Sequence, residues 1–578
     1  MTPTKTLAAI LLLLGGAALL WDYNREKKAY YADYVEEWGI PRGLDRLGCK
    51  EAAHREASWR IVSRRGKVLS LDHVDSAGNH RDLGNQEIAG RPVSMRYFYG
   101  KSGKTVRAEE YDTHGNLLRV HEYSTDSRKV WFKVPNPEWG YAYCGANTQA
   151  QAVADYTAAK NFYKSSIVGG ALGLDSRGRV QKMAFLNRNG APSSDAEGVG
   201  GLRYEYDPAG HLKKISFLGT GAGPTPVRCG VSSIAYAYDA KGQRISVEWQ
   251  NQQGRPTPNA NGVARHSYQF DRWGNVVEWN NLGPDGKLRL NKDGYAGGKA
   301  TFDDLGNRVG VSYFGTDGTP CVNADGYAGW KMKFDPRGNR AEISFFGIDG
   351  KPCLQMMGVA GWKSQFDDRG YEIEEAYFGT DGKPSLSTYS HAGWRAKYDE
   401  HGNRTETAYF GMDGTPCLTS EGTASTRTKF DERGREIEST DFGLDGKPCL
   451  NKSGYMRLIA KYDEQGNCVE IAQVGADGNP SVNANGCASS KSTFDEGGNE
   501  IETAYFGVDG TPIKSERGYA KVRKKFDAHG TLVEMTDFGK DGEILHHVRY
   551  RANGEVENTN SKKQGEKVGS GTRLLPIL

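Results

Sequence analysis

Three tryptophans, Trp330, Trp362 and Trp394, recur at intervals of 32 residues. In a regular array this spacing would place the three rings in one row, and a row of exposed indoles is suited to stacking against sugar rings. The alternative is that the rings fill an aromatic core between neighbouring units, because large aromatic side chains contribute most when they are buried. The sequence therefore favours core packing for these three residues, with ligand stacking as the alternative.

Four cysteines share another position of the same repeat, namely Cys321, Cys353, Cys417 and Cys449. If each unit adds one strand to a sheet, neighbouring positions lie about 4.8 Å apart and a disulfide is feasible. If each unit adds two strands, the separation is about 9.6 Å and a disulfide cannot form. Ser385 and Ser481 occupy the same position in other units, which favours simple packing of a small side chain. No Cys-x-x-Cys motif supports a metal site.

Twelve aspartates follow one another at steps of 32 residues, without insertion or deletion: Asp175, Asp207, Asp239, Asp271, Asp303, Asp335, Asp367, Asp399, Asp431, Asp463, Asp495 and Asp527. Carboxylates at regular intervals could bind calcium, but the glycine-rich calcium nonapeptide is absent. An aspartate in a turn more commonly accepts hydrogen bonds from backbone N–H groups. We therefore expect structural turns and no cofactor, with calcium as the alternative. The representative turn pairs are Asp303 and Gly306, Asp335 and Gly338, and Asp399 and Gly402.

No arrangement of residues matches a known catalytic set, so we expect a protein that is not an enzyme. Candidate groups in the irregular region 30–170, such as His54, Glu56 and His80, are scattered along the sequence. An enzyme hidden in that region is the alternative. The formal net charge is only +3 and gives no reason to expect a nucleic-acid partner, which would need a basic face.

The fixed period predicts the fold class. Within one unit, residues before Phe334 alternate like a strand, residues 335–338 have turn chemistry, and Arg340 begins a second strand. A single hairpin cannot bury its apolar face, whereas stacked hairpins can. We expect a mostly β protein, in which tandem 32-residue β-hairpin repeats stack into an elongated solenoid or sheet spiral, with an N-terminal apolar helix. A closed propeller is the alternative.

Four segments are expected along the chain. Residues 1–24 form a signal or anchor segment, and residues 25–170 an irregular β-rich capping region with a short helix. Residues 171–555 hold twelve repeats and a truncated unit, and residues 556–578 a disordered tail rich in polar residues. The short helix is expected at residues 146–166, and a second helix beside the membrane is expected to end at Gly39 and Pro41.

The N-terminal segment also bears on location. Residues 7–21 are an uncharged apolar run, which favours an uncleaved anchor over a cleaved signal or a buried helix. Arg25, Lys27 and Lys28 follow the run, and these flanking charges leave a cytoplasmic orientation open. We prefer export, with the array anchored to the inner membrane and facing the periplasm or exterior, or secreted.

The element formed by an aromatic residue, Asp, two residues, Gly and Asn or Arg resembles the YD repeat of bacterial Rhs-type proteins. It is clearest in "YEYDPAGHL" (204–212), "YQFDRWGNV" (268–276) and "AKYDEHGNR" (396–404). The "YFGxDGxP" turn is more loosely similar to the aromatic-glycine repeats of cell-wall-binding and glucan-binding proteins. The resemblance implies a bacterial envelope repeat protein and no particular ligand. From the array without insertions and the apolar N-terminal run, we expect a membrane-anchored surface that binds a protein or glycan and contacts the membrane through its N-terminal segment. The alternative is a structural shell or carrier for another polypeptide.

Overall fold

The architecture comes from a computed structural model, which describes the following residues: 26–37, 40–76, 78, 80, 94–111, 117–124, 128–133, 169–186, 190–194, 198–227, 229–483, 486–495, 499–515, 517–526, 532–550 and 556–561. Almost all of the regular structure in this part of the chain is β. Thirty-four strands join one sheet, and one short helix, α1 (Cys49–Ala52), lies between the second and third strands.

The strands that precede the regular repeats are β1 (Lys27–Glu37), β2 (Ile40–Leu47), β3 (Ser58–Arg64), β4 (Lys67–Val74), β5 (Ser94–Tyr99), β6 (Thr105–Tyr111), β7 (Leu117–Tyr123) and β8 (Lys129–Lys133). The regular repeats supply β9 (Gly169–Leu174), β10 (Val180–Leu186), β11 (Gly201–Tyr206), β12 (Leu212–Leu218), β13 (Ser233–Tyr238), β14 (Arg244–Gln250), β15 (Arg265–Phe270), β16 (Val276–Leu282), β17 (Gly297–Phe302), β18 (Arg308–Phe314), β19 (Gly329–Phe334), β20 (Arg340–Phe346), β21 (Gly361–Phe366), β22 (Glu372–Phe378), β23 (Gly393–Tyr398) and β24 (Arg404–Phe410). The sheet continues through β25 (Ser425–Phe430), β26 (Glu436–Phe442), β27 (Arg457–Tyr462), β28 (Cys468–Val474), β29 (Ser489–Phe494), β30 (Glu500–Phe506), β31 (Lys521–Phe526), β32 (Leu532–Phe538), β33 (Ile544–Tyr550) and β34 (Val556–Ser561).

Every pairing in the sheet is antiparallel and almost every one joins neighbours in sequence. The order is β2–β1–β3–β4 and then consecutive to β34, so that β2 and β34 are the two edge strands among the described residues. The prediction of a mostly β protein built from hairpin repeats is confirmed. The sheet does not close on itself, which argues against the propeller alternative.

Each unit forms one hairpin for local reasons. In the unit of β19 and β20, the Oδ1 atom of Asp335 accepts the backbone N–H groups of Arg337 and Asn339, both at 2.8 Å. Gly338 has φ +88°, which glycine adopts without the cost that a Cβ atom brings. A second turn follows β20, and its Pro352 pairs with Phe346 only as an isolated bridge. Each unit therefore adds two strands and not three.

The two faces of the sheet differ in chemistry because side chains alternate along a strand. On one face, Trp330 lies opposite Phe345 in β19 and β20, and we call this the aromatic face. On the other, the charged face, Lys333 Nζ lies 2.9 Å from Glu342 Oε1. The same cross-strand ion pair returns in four later hairpins: Lys397–Glu406, Lys429–Glu438, Lys461–Glu470 and Lys525–Glu534.

The sheet curls back on itself. Strands β3 and β16 are thirteen steps apart in the sheet order, which would be roughly 60 Å if the sheet were flat. Nevertheless Arg55, which precedes β3, donates from Nη1 to the carbonyl oxygen of Trp273, just before β16, at 3.0 Å. The ribbon between them must therefore bend through nearly a full turn.

The expectations for the two ends of the chain have different outcomes. The prediction of a helix ending at Gly39 and Pro41 is wrong: β1 and β2 pair as antiparallel strands, and the three tyrosines and one valine of β1 are residue types that favour a strand. The helix expected at 146–166 and the apolar segment 7–21 lie outside the described residues. The sheet extends through β34, six residues into the segment expected to be a tail. Among the described residues, no helix has the length and apolar character needed to span a bilayer.

Candidate functional site

The aromatic face changes character along the array. In the first hairpins it is a dry core, in which Met183, Phe185, Phe217 and Trp249 are each at most 1% exposed. From β19 onward the corresponding positions are more often half-buried, although Phe345 and Tyr377 remain buried. Several of the half-buried side chains are shorter or polar, namely Glu375, Thr407 and Ser439. The same surface is therefore sealed at one end of the array and accessible at the other.

The three candidate tryptophans lie on this face and are all half-buried. They belong to β19, β21 and β23, one hairpin apart, and each pairs with an aromatic residue on the following strand. The ring of Trp362 also lies 5.4 Å from that of Phe345, in the preceding hairpin. The structure thus places the three side chains in one aromatic ladder with part of each ring accessible.

Trp394, the last of the three tryptophans, contacts two charged side chains. Trp394 donates from Nε1 to Glu375 Oε1 at 3.1 Å, and the guanidinium of Arg404 lies 4.5 Å from the ring centroid of Trp394. Burial, and then the nearby Glu375 carboxylate, raise the pKa of Tyr377 well above its ordinary value. One side of Trp394 is therefore taken by a cation of the chain itself, whereas no such cation contact is recorded for Trp330 or Trp362 among the described residues.

The aspartates of the repeat are turn caps. Asp303, Asp335 and Asp399 each accept two backbone N–H groups through Oδ1, and each accepts the amide of the asparagine four residues later through Oδ2. Burial pushes the pKa of Asp335 upward, but the bonds from Asn339 and Arg337 outweigh it and hold the pKa below its ordinary value. The glycines Gly306, Gly338 and Gly402 all have positive φ. The carboxylate oxygens are thus already occupied, and the described residues contain no group of three or more ligands arranged for a metal ion.

The four cysteines have unpaired thiols. Because each unit adds two strands, neighbouring cysteines are spaced by about 9.6 Å. Each thiol instead faces a carbonyl oxygen of the preceding unit, as Cys321 Sγ does with Gly294 at 3.9 Å. Ser481 donates to the equivalent carbonyl of Gly454 at 2.7 Å. Burial raises the pKa of the Cys321 thiol, which leaves the thiol protonated at neutral pH.

One interface was not predicted from the sequence. Residues 40–56 contact the turns that the repeat aspartates cap, which we call the Asp-turns, in successive hairpins at His211, Trp273 and Arg308. We call this stretch the N-terminal strap. His211 joins the two parts: its Nε2 lies 2.7 Å from Asp45 Oδ2 in the strap, and its Nδ1 lies 2.9 Å from Asp207 Oδ2 in the turn. Hydrogen bonding to Asp45, and to Asp207 against the opposing effect of burial, raises the pKa of His211 to about 9.

Two scattered candidates from the irregular region also belong to this interface. The ring of His54 stacks on Trp273 with centroids 4.2 Å apart, and Glu56 Oε2 accepts from Arg308 Nη2 at 2.6 Å. His80 lies elsewhere, with its Nε2 3.6 Å from Asp72 Oδ1. The structure therefore brings His54 and Glu56 together as docking groups and does not gather the three into one cleft.

Comparisons with known proteins give limited information. No protein-family model matches the chain, and no curated protein matches it. Among solved structures, it is similar to TcdB2-TccC3 without the hypervariable C-terminal region, at 12% identity over 88% of this chain and 25% of that one, with a TM-score of 0.25. It is also similar to the Photorhabdus luminescens Tc holotoxin pore, at 12% identity over 89% of this chain and 28% of that one, with a TM-score of 0.26.

A third match is TcdB2-TccC3-Cdc42, at 12% identity over 86% of this chain and 30% of that one, with a TM-score of 0.25. The chain spans about a quarter to a third of the length of these chains. Identities and TM-scores this low assign neither a family nor a function to this chain.

Proposed function

We propose that the chain is a structural protein without enzymatic activity, and that its curled sheet forms a wall whose aromatic face holds or presents another polypeptide. The observation that carries the proposal is the change of that face from a dry core around Phe185 and Trp249 to a half-buried, mixed lining around Thr407. Part of each large ring, such as those of Trp330 and Trp362, stays accessible on this mixed lining, and covering that apolar surface with a partner is favourable. Calcium and other cofactors have no part in this proposal.

The lining supports a polypeptide as the guest. Half-buried hydroxyl, carboxylate and aromatic groups alternate along it, so that a chain lying there finds both hydrogen-bond partners and apolar contacts. The curl defined by Arg55 and Trp273 gives the ribbon an inside. Binding by a mixed surface of this kind tolerates many guest sequences, as adaptable polar and aromatic surfaces generally do.

The experiment compares two adjacent residues of β24 that lie on opposite faces. A photo-crosslinking amino acid replaces Thr407, on the aromatic face, or Ala408, on the charged face, and crosslinked peptides are identified by mass spectrometry after irradiation of producing cells. We expect a defined polypeptide to be captured at position 407 and not at position 408. Equal capture at both positions, or none at 407, contradicts the proposal.

A second candidate function is an envelope-anchored binding surface for a protein or glycan, favoured by the accessible parts of Trp330 and Trp362. Labelling of intact cells with a membrane-impermeant thiol reagent tests the location, since Cys321 and Cys353 are both partly exposed. Labelling in intact cells supports an external array. Labelling that requires lysis removes this candidate and leaves the wall proposal standing.

A further inference from the structure

The ends of the hairpins opposite the Asp-turns carry a row of exposed aliphatic side chains. Seven consecutive units each place one at the same position, 19 residues after the repeat aspartate, and each is between 43% and 52% exposed: Leu290, Val322, Leu354, Leu386, Leu418, Leu450 and Val482. The three units before them carry Ser194, Pro226 and Pro258 there. The row therefore begins abruptly at the fourth unit.

The second turn of several units adds more aliphatic area at the same ends, through Ile348, Met412, Leu444 and Val508, each between 55% and 64% exposed. We call the seven-residue row together with these four residues the aliphatic edge. Single exposed apolar residues are common on proteins, whereas a continuous apolar patch marks an interaction surface.

The area of the edge is sufficient for a specific interface. Full burial of one such side chain removes about 100 Å² of apolar surface from water, and about half of that remains available on each. Eleven side chains then offer roughly 500–600 Å² of apolar surface. A standard interface buries about 800 Å² per partner and includes a polar rim, so the aliphatic edge can supply the apolar centre of one.

The backbone beneath the edge is held in place before any partner binds. After its second turn, each of these units makes a third turn before the next hairpin, and this third turn donates one N–H group to the third turn of the preceding unit: Met356 to Asp325 at 2.9 Å, Thr388 to Met357 at 2.8 Å, and Ser420 to Tyr389 at 2.8 Å. This ladder fixes the position of one unit relative to the next. Because the backbone is already ordered, little backbone entropy is lost when a partner covers the edge.

We propose that the aliphatic edge joins two copies of this chain in a two-fold symmetric dimer. Each unit adds two strands, so the row repeats every ~9.6 Å over six steps, about 58 Å in all. Another edge with the same step can interdigitate along this whole length, whereas a surface without the period meets only one or two units. A two-fold axis sets the same patch against itself, and antiparallel rows let every unit of one copy meet a unit of the other. This inference does not depend on the wall proposal.

Charge distinguishes this dimer from non-specific electrostatic association. Each second turn along the edge carries an exposed aspartate, such as Asp349 and Asp413, whereas only some units add a lysine, such as Lys351. Two copies therefore present an excess of the same sign to each other. Salt screens this repulsion, so we expect the dimer to tighten as ionic strength rises.

The test is sedimentation velocity of the full chain over a range of concentrations at low and high salt. We expect a monomer–dimer equilibrium for the wild type. The double variant Leu354→Glu/Leu418→Glu should raise the dissociation constant about a hundredfold or more, because it places carboxylates at the centre of the buried area. The matched control is Leu305→Glu, an equally aliphatic residue that is 63% exposed at an Asp-turn and should leave the equilibrium unchanged.

A charge-swap experiment excludes misfolding as the cause. A copy with Leu354→Lys/Leu418→Lys is mixed with the Leu354→Glu/Leu418→Glu copy, and we expect a heterodimer although neither variant dimerises alone. A wild type that stays monomeric at all concentrations overturns the proposal. So does a dimer that the glutamate variant leaves intact, a control that dissociates equally, or a charge-swapped mixture that fails to pair.

Discussion

His211 makes the docking of the N-terminal strap depend on pH. As a cation it bridges Asp45 in the strap and Asp207 in the repeat turn, with both distances under 3 Å. The folded pKa, about 9, lies above the ordinary value of 6.5. A raised pKa means that the stabilisation is complete below pH 6.5 and is lost as the pH rises through 9. Raising the pH across this window should therefore release the strap without unfolding the repeats.

The size of the effect follows from the shift. A change from 6.5 to about 9, at about 1.4 kcal/mol for each pKa unit, gives at most about 3.5 kcal/mol. The side chains of Asp45 and Asp207 are 27% and 30% exposed, so water screens part of the attraction, and about 2 kcal/mol is the expected loss. This corresponds to a roughly 30-fold rise in the population of the undocked strap.

Other charged groups near the imidazole titrate in different ranges. Burial raises the pKa of Asp33 to about 6, and Arg244 lies close enough to act on the same carboxyl group. A carboxyl group whose folded pKa is raised in this way reduces stability as the pH rises from its ordinary pKa to about 6. This loss from Asp33 is therefore complete before the folded His211 begins to lose its proton. Tyr238 stacks on the imidazole with ring centroids 4.8 Å apart.

Hydrogen exchange of the β2 amides measures the opening of the strap directly, after correction for the intrinsic pH dependence of exchange. A local probe is needed because repeat arrays do not unfold in one step. We expect protection to fall about 30-fold between pH 6.5 and pH 9, and His211→Gln to remove this dependence. His401→Gln is the control, because the side chain of His401 is 76% exposed. Constant wild-type protection, or the same pH dependence in His211→Gln, would refute the reasoning.

Three further predictions concern the turns and the cysteine row. Gly306→Ala should destabilise strap docking more than Gly318→Ala: both have φ near +80°, but a Cβ at 306 would lie 2.6 Å from the His54 carbonyl oxygen while one at 318 meets nothing within 4 Å. Equal shifts in thermal midpoint would contradict this. Asp335→Ala should cost about 1–2 kcal/mol, from the loss of its N–H bonds, and added calcium should leave the wild-type melting temperature unchanged; a rise with calcium would revive the metal alternative. Cys321→Ser should change stability by less than about 0.5 kcal/mol, because Ser481 already makes the equivalent hydrogen bond, and a larger loss in chemical denaturation would show that the thiol has a separate role.

The site was only partly visible in the sequence. The spacing of Trp330 and Trp362 correctly placed them in one row, since a period without insertions transfers each side chain to the same position of the next hairpin. The docking role of His211 was missed, although a signal was present: it stands where several later units have asparagine, as at Asn339 and Asn403. A residue that differs from the repeat consensus is a candidate for an additional contact. The sequence alone does not show which residue makes that contact.

The sequence by itself determined the local architecture of this protein. Alternation around Phe334, the capping Asp335 and the positive φ available to Gly338 specify a hairpin, and the 32-residue period specifies that hairpins stack in register. Only the tertiary structure decided how the ribbon curls, where the strap meets the Asp-turns, and which end of the aromatic face is sealed. Contacts such as that of Arg55 with Trp273 join residues 218 positions apart. They depend on the small twist between neighbouring strands summed over many strands, and no single unit encodes that sum in its own residues.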